Sequence, residues 1–277
     1  MKQRIISALI AIPLFISMLL LAPVGLFKLF WLATLGLTAY EVGKMFDFAL
    51  RPSNLWMYVG LNGLLSAALL FFFPLTAAAT GILYIGALLW LLAVPYVLKT
   101  YRFQVLSKGR DRYFALLCLI FHLAFAVAVM RVYQAVAGIG LLTLLVLIWA
   151  SDAGAYFIGR QIGKTPFSPQ ISPNKTWEGF VGGLLLAALC TLLWLFCFSD
   201  HPLLQSFSAK ILFFVSSLAA LVYAALGDLY ESLLKRRAGV KDSGRIMPGH
   251  GGVYDRIDSW LPAIVIWALT FEWLRMI

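Results

Sequence analysis

Asp255 and Asp258, spaced i, i+3, open the last apolar run of the chain, and Asp228 follows the preceding apolar run, LAALVYAALG. On a helix, Asp228 shares a face with Glu231 or Ser232 and with Lys235. Three carboxylates converging from two helix ends, Asp228, Asp255 and Asp258, supply the oxygen ligands that a hard divalent cation such as Mg²⁺ takes. Asp152, inside the apolar stretch WASDAGAY, is a further candidate metal or substrate group, because an ionisable side chain in lipid is costly enough to mark function. Between the carboxylates lie Lys235, Arg236, Arg237, Lys241 and Arg245, together with Gly244, Gly249, Gly251 and Gly252. Cations there can hold phosphate oxygens, and glycines let backbone N–H groups approach an anion. Carboxylates, cations and glycines together point to metal-assisted phosphoryl chemistry. His250, in P-G-H-G-G, reads as a loop or substrate contact, since no second histidine lies near it.

A second polar stretch, ISPNKTWEG over residues 171–179, leads into another apolar run. Ser172 or Thr176 can cap the helix that follows. Lys175 falls where the helix dipole adds its own positive end, a place suited to phosphate. Ser172, Asn174 and Lys175 therefore join Lys235, Arg236, Lys241, His250 and Arg256 as candidate substrate-binding groups. Gly179 and Gly183 form a small-xxx-small pair suited to helix packing. The run Gly159 to Thr165 is one residue short of a nucleotide-binding P-loop and follows a helix rather than a strand, so that reading fails. His122 stands alone on an apolar helix and reads as a packing or interhelical hydrogen-bonding residue.

The elements that must position these groups are membrane helices. The 277-residue chain is 62% hydrophobic and only 12% charged, about half the charged fraction of roughly 25% that a soluble domain carries. A water-soluble globule is thereby excluded. Apolar runs predict an all-α polytopic membrane protein with about nine spans, near residues 4–22, 24–46, 55–73, 77–97, 113–133, 138–158, 178–198, 208–234 and 259–275. The first run is long for a signal peptide and has no A-x-A cleavage pattern, so it is expected to be retained. With the N-terminus in the cytoplasm and the C-terminus outside, 18 of the 22 lysines and arginines fall on the inner side, which accounts for most of the +10 charge. Before residue 150 the only acidic residues are Glu41, Asp47 and Asp111. Residues 1–134 therefore read mainly as scaffold, and residues 135–277 as the part that carries a cytoplasmic-side site. Cys118, Cys190 and Cys197 lie in apolar stretches and read as packing residues.

The stretch SLLKRRAGVKDSGRIMPGHGGVYDRID, residues 232–258, closely resembles the signature of the phosphatidate cytidylyltransferases, the CDP-diacylglycerol synthases. Met247 is the one departure, and it keeps the apolar character. SDAGAY, SPNKTWEG and GDLYES upstream resemble the bacterial members as well. The resemblance implies transfer of CMP from CTP to phosphatidic acid, giving CDP-diacylglycerol and pyrophosphate. It also implies Mg²⁺ with a companion K⁺, a homodimer in the bacterial inner membrane, and an active site facing the cytoplasm, with no nucleic-acid partner. By position it makes Asp228 and Asp255 the principal metal ligands and Asp258 a supporting one, with Lys175, Lys235, Arg236 and Lys241 as phosphate clamps. A phosphate monoester is already anionic near neutral pH, so positioning and electrostatics would carry catalysis.

Two other classes fit less well. A CDP-alcohol phosphotransferase needs a D-G-x-x-A-R motif, and the chain has none. An ion-coupled transporter using Asp152 and Asp228 would show broken helices in corresponding halves, and the first half lacks the polar residues for it.

Overall fold

A computed structural model describes residues 2–46, 51–100, 111–246 and 251–274. The chain runs as α1 (Lys2–Leu20), α2 (Val24–Gly43), α3 (Pro52–Ala67), α4 (Ala77–Leu88), α5 (Val94–Thr100), α6 (Asp111–Ile162), strands β1 (Pro166–Ser168) and β2 (Ser172–Thr176), then α7 (Trp177–Cys197), α8 (Phe207–Arg237), α9 (Tyr254–Ile257) and α10 (Trp260–Leu274). Six helices among the described residues are long and apolar enough to cross a membrane. Two of these runs contain a π-helical turn, at Ala68–Phe72 after α3 and at Leu89–Ala93 between α4 and α5.

The 52 residues of α6 are too many for one crossing. At 1.5 Å per residue they would span about 78 Å, against about 30 Å of hydrocarbon. The helix is in fact broken at Val136 and Ala137, whose backbone leaves the helical region. Ala137, with φ of 52° and ψ of −158°, is the one non-glycine residue with positive φ among the described residues. The break falls between the expected spans 113–133 and 138–158. At that point Gly138 lies against the carbonyl of Leu19, with no room for a side chain.

Aromatic side chains fill the interior. Trp31 of α2 packs edge-on to Phe125 of α6 and against Trp260 of α10, and Trp90 stacks on Phe121 with Tyr230 of α8 edge-on to both. His122 is fully buried and bonded to Asn62 at 2.9 Å, the interhelical role its sequence setting indicated. Large apolar residues such as Leu64, Phe72, Leu185 and Phe196 stay exposed, as a surface facing lipid requires.

The site rests on close helix approaches. Gly154 of α6 meets Gly182 and Gly183 of α7, and a Cβ on Gly179 would stand 2.8 Å from the carbonyl of Ala155. The Gly179/Gly183 pair thus packs helices. The stretch expected as a capping loop is instead a small antiparallel hairpin of β1 and β2. It is closed by the Trp177 N–H donating to the Thr165 carbonyl and by Glu178 accepting from the backbone and hydroxyl of Thr165. Thr176, rather than Ser172, caps α7 by accepting from Gly179 N.

Candidate active site

Asp228 and Glu231 sit one turn apart in the C-terminal third of α8, and Asp258 sits at the junction of α9 and α10. Gly227 lets these elements meet. A Cβ there would strike the Asp258 carbonyl and stand 2.7 Å from Pro262, so any larger residue would push α10 off α8. With that contact made, Asp228, Glu231 and Asp258 each bring one carboxylate oxygen within 4.8 Å of the others. Glu231 is 1% exposed, and its Oε1 is buried without a hydrogen-bond partner among the described residues. A buried, unpartnered carboxylate oxygen is expensive unless something cationic meets it. The set has the oxygen-only chemistry that suits a hard divalent cation such as Mg²⁺.

Asp255 stands beside this group without joining it. Its Oδ1 accepts from Lys235 at 2.7 Å, and its Oδ2 accepts from Ser243 N at 2.9 Å, Ser243 Oγ at 2.7 Å and Gly252 N at 2.7 Å. The Lys235 ammonium is shared with Glu231 at 2.6 Å. Asp255 and Lys235 thus tie the loop after α8 to the carboxylate group, and in this arrangement Lys235 faces carboxylates.

Lys175, carried inward by β2, forms an ion pair with Asp228. Both line a cavity of about 420 Å³ between α6, α7, α8 and the hairpin. Ser151, Asp152, Asn174 and Ser259 give it polar walls, while Phe167, Phe180, Leu221 and Ala224 give it apolar ones. Asp152 and Asn174, both singled out in the sequence, therefore face the same space as Lys175 and Asp228. Ser172 is half-buried on the hairpin and does not line that space. Arg236 is exposed, its Nε donating to the Ile171 carbonyl at 3.4 Å, which joins the end of α8 to the hairpin. Lys241 and Arg256 are exposed. His250 lies outside the described residues.

Three groups here were not among the expected site residues. Glu231, which the i, i+3 spacing puts on the face of Asp228 without giving it a ligand's role, stands in the close carboxylate group where Asp255 was expected. Arg160 lines the cavity and donates to the Tyr156 hydroxyl at 3.2 Å, although its position in the chain reads only as an orienting charge. Glu41, from α2, is 2% exposed and accepts hydrogen bonds from Val253 N and Tyr254 N.

A mainly apolar cavity that Lys175 and Arg160 also line, next to a trio of carboxylates, has the mixed chemistry that suits a phosphorylated amphiphile. A family model described as the cytidylyltransferase family matches residues 2–274. A protein of Staphylococcus haemolyticus named phosphatidate cytidylyltransferase is 36% identical over 264 residues, covering 94% of this chain and 95% of that one. A Pseudomonas aeruginosa protein of the same name is 34% identical over 268 residues, covering 97% and 96%. A Haemophilus influenzae one is 45% identical over 124 residues, covering 45% of this chain and 42% of that one.

Proposed function

The chain belongs to the cytidylyltransferase family, and from that premise we infer that it transfers CMP from CTP to phosphatidic acid, giving CDP-diacylglycerol and pyrophosphate. A phosphate oxygen of the lipid attacks the α-phosphorus of CTP, and the bond from that phosphorus to the bridging oxygen breaks, so that pyrophosphate leaves. The observation that carries this reading is the trio Asp228, Glu231 and Asp258 opening beside a cavity that Lys175 also reaches.

Asp228, Glu231 and Asp258 would hold Mg²⁺. The bound ion would neutralise charge on the triphosphate and on the departing pyrophosphate. Lys175 and Asn174 orient phosphate oxygens from the hairpin side, with Arg160 at the cavity wall. The apolar wall of Leu221, Ala224 and Phe180 receives the lipid end and keeps water from it. Asp255, through Lys235 and Ser243, holds the basic loop where Lys241 and Arg256 can meet substrate. K⁺ is proposed as a companion cation.

The proposed topology has nine crossings, with the N-terminus in the cytoplasm and the C-terminus outside. Its supports are the six membrane-length helices, the break that divides α6 into two arms, and the lengths of α1 and α2, 19 and 20 residues. It puts the hairpin, the end of α8 and the start of α9 on the cytoplasmic side of a bacterial inner membrane, where CTP is. The helices from residue 135 onward carry the site, and the protein acts as a homodimer.

The test is purified protein in detergent with labelled CTP, phosphatidic acid and Mg²⁺, followed for lipid-linked CMP and released pyrophosphate. No label in lipid under any divalent cation would overturn the reading. Omission of Mg²⁺ and of K⁺ in turn separates the two cation roles.

A further inference from the structure

Glu41 has no ion-pair partner among the described residues and is nevertheless almost fully buried. Its carboxylate is instead committed to backbone donors more than 200 positions away: Oε1 accepts from Val253 N at 3.0 Å and Oε2 from Tyr254 N at 2.8 Å. Ser243 Oγ lies 3.3 Å from Oε2, but its single hydroxyl proton is better used at Asp255, 2.7 Å away. Two glycines of the basic loop close over the same carboxylate. A Cβ on Gly252 would stand 2.6 Å from both of its oxygens, and a Cβ on Gly244 would overlap it. Glu41 thus holds the start of α9, which carries Asp255 and ends at Asp258.

We propose that Glu41 is a positioning residue, a carboxylate of the N-terminal helices that fixes the start of α9 and thereby sets where Asp255 and Asp258 stand. The inference rests on the metal-assisted reading of the site and gives α2 a share in it. Two charge-assisted bonds to consecutive N–H groups specify both the location and the direction of the chain entering α9. From there two links lead to the carboxylate trio. One is the backbone from Tyr254 to Asp258; the other is Asp255, carried on α9 itself, whose carboxylate accepts from the Lys235 ammonium that Glu231 shares. Glutamine at position 41 keeps the size but can accept at only one of the two oxygens, and its NH₂ then faces an N–H. Aspartate keeps the charge but is one methylene short.

The experiment uses the full chain in detergent, with Mn²⁺ binding followed by its paramagnetic signal alongside CMP transfer, both per folded molecule. Outer-ligand substitutions cost about 10- to 100-fold in metal affinity or activity, and E41Q is expected to weaken Mn²⁺ binding and lower kcat by that factor. The KM for CTP should stay within about threefold, since Glu41 does not line the cavity. E41D should fall between E41Q and the parent. Should E41Q fold poorly, G244A presses first on Glu41, whose atoms are the nearest to the added Cβ, and leaves every charge in place, so it should show the same losses in milder form. Parent-like Mn²⁺ affinity and kcat in folded E41Q, or in G244A, would overturn the proposal. If the unsubstituted chain transfers no CMP, the functional reading fails, and the Mn²⁺ shift still decides the role of Glu41.

Discussion

Lys175 pairs with Asp228 across 53 positions of sequence, so the β1–β2 hairpin is latched to α8 at the edge of the cavity. The side chains are 33% and 34% exposed, enough for substrate to compete for the lysine. An ion pair in such a setting contributes little to stability, and under the proposed function it holds an ammonium ready for phosphate.

Lys175→Ala should therefore cost activity far more than stability. One lost charge-assisted contact is worth about 1.5–3 kcal/mol, so kcat/KM should fall by about 10- to 100-fold with little change in the unfolding midpoint in detergent. Steady-state CMP transfer at varied CTP and phosphatidic acid checks this. A variant within twofold of the parent would remove Lys175 from substrate binding.

The carboxylates divide by their partners. Glu231→Gln and Asp258→Asn should each raise the Mg²⁺ concentration for half-maximal rate by about tenfold or more. Asp255→Asn disturbs four hydrogen bonds that hold the loop after α8, so it should also speed proteolytic cleavage within residues 239–253. Equal Mg²⁺ curves for the parent and for the Glu231 and Asp258 variants would sink the ligand assignment.

Lys235 lies between Glu231 and Asp255, which are 1% and 8% exposed. Lys235→Met leaves two buried carboxylates with no cation between them, and breaking a buried pair in this way costs about 3–5 kcal/mol. Thermal unfolding in detergent should show the loss. The double variant Lys235→Met/Glu231→Gln should recover part of it, because the two effects are not additive. A Lys235→Met midpoint equal to the parent's would mean the network is not structural.

Ala137→Gly tests the break in α6. A non-glycine residue at φ of 52° and ψ of −158° costs about 1–3 kcal/mol, and the glycine adds back about 0.5–1 kcal/mol of unfolded-state entropy. The balance favours the variant by about 1 kcal/mol. Gly138→Val, by contrast, drives a side chain into the Leu19 backbone, whose carbonyl carbon is only 2.6 Å from a Cβ there, and should destabilise by about 1–3 kcal/mol. Unfolding midpoints that do not move apart in these directions would contradict the packing at the break.

For topology, single cysteines at the exposed residues Gln170 and Gln205 in a background without Cys118, Cys190 and Cys197 should report opposite sides. A membrane-impermeant maleimide applied to intact cells should label position 205 and spare position 170. Labelling of position 170 from outside would reverse the proposed orientation.

What the sequence made legible followed from local rules. The i, i+3 and i, i+4 faces put Asp228, Glu231 and Lys235 together, and the gap in hydropathy near residue 135 marked the end of one helical arm. The cap at Thr176 and the packing role of Gly179 and Gly183 were legible for the same reason. The exchange of Asp255 for Glu231 was not, because it depends on which donors the folded loop supplies, and Ser243 and Gly252 donate to Asp255 only once the loop closes. Glu41 was the least legible. In sequence it is a carboxylate near a helix end with Lys44 one turn on, and only the packing of α2 beside α9 shows what it holds.

Gly227 brings α8 and the α9–α10 junction into backbone contact, so the spacing of Asp228 and Asp258 follows the helix axes directly, with no flexible side chain to absorb a change in tilt. Membrane helices adjust their tilt when the surrounding hydrocarbon is thicker or thinner than their apolar length. The bilayer would thus act on this chain as a caliper as well as a solvent, since a change in tilt would carry Asp228 and Asp258 with the helix axes. Under the proposed function, CMP transfer is therefore expected to vary with the acyl length of the bilayer in which the protein is reconstituted.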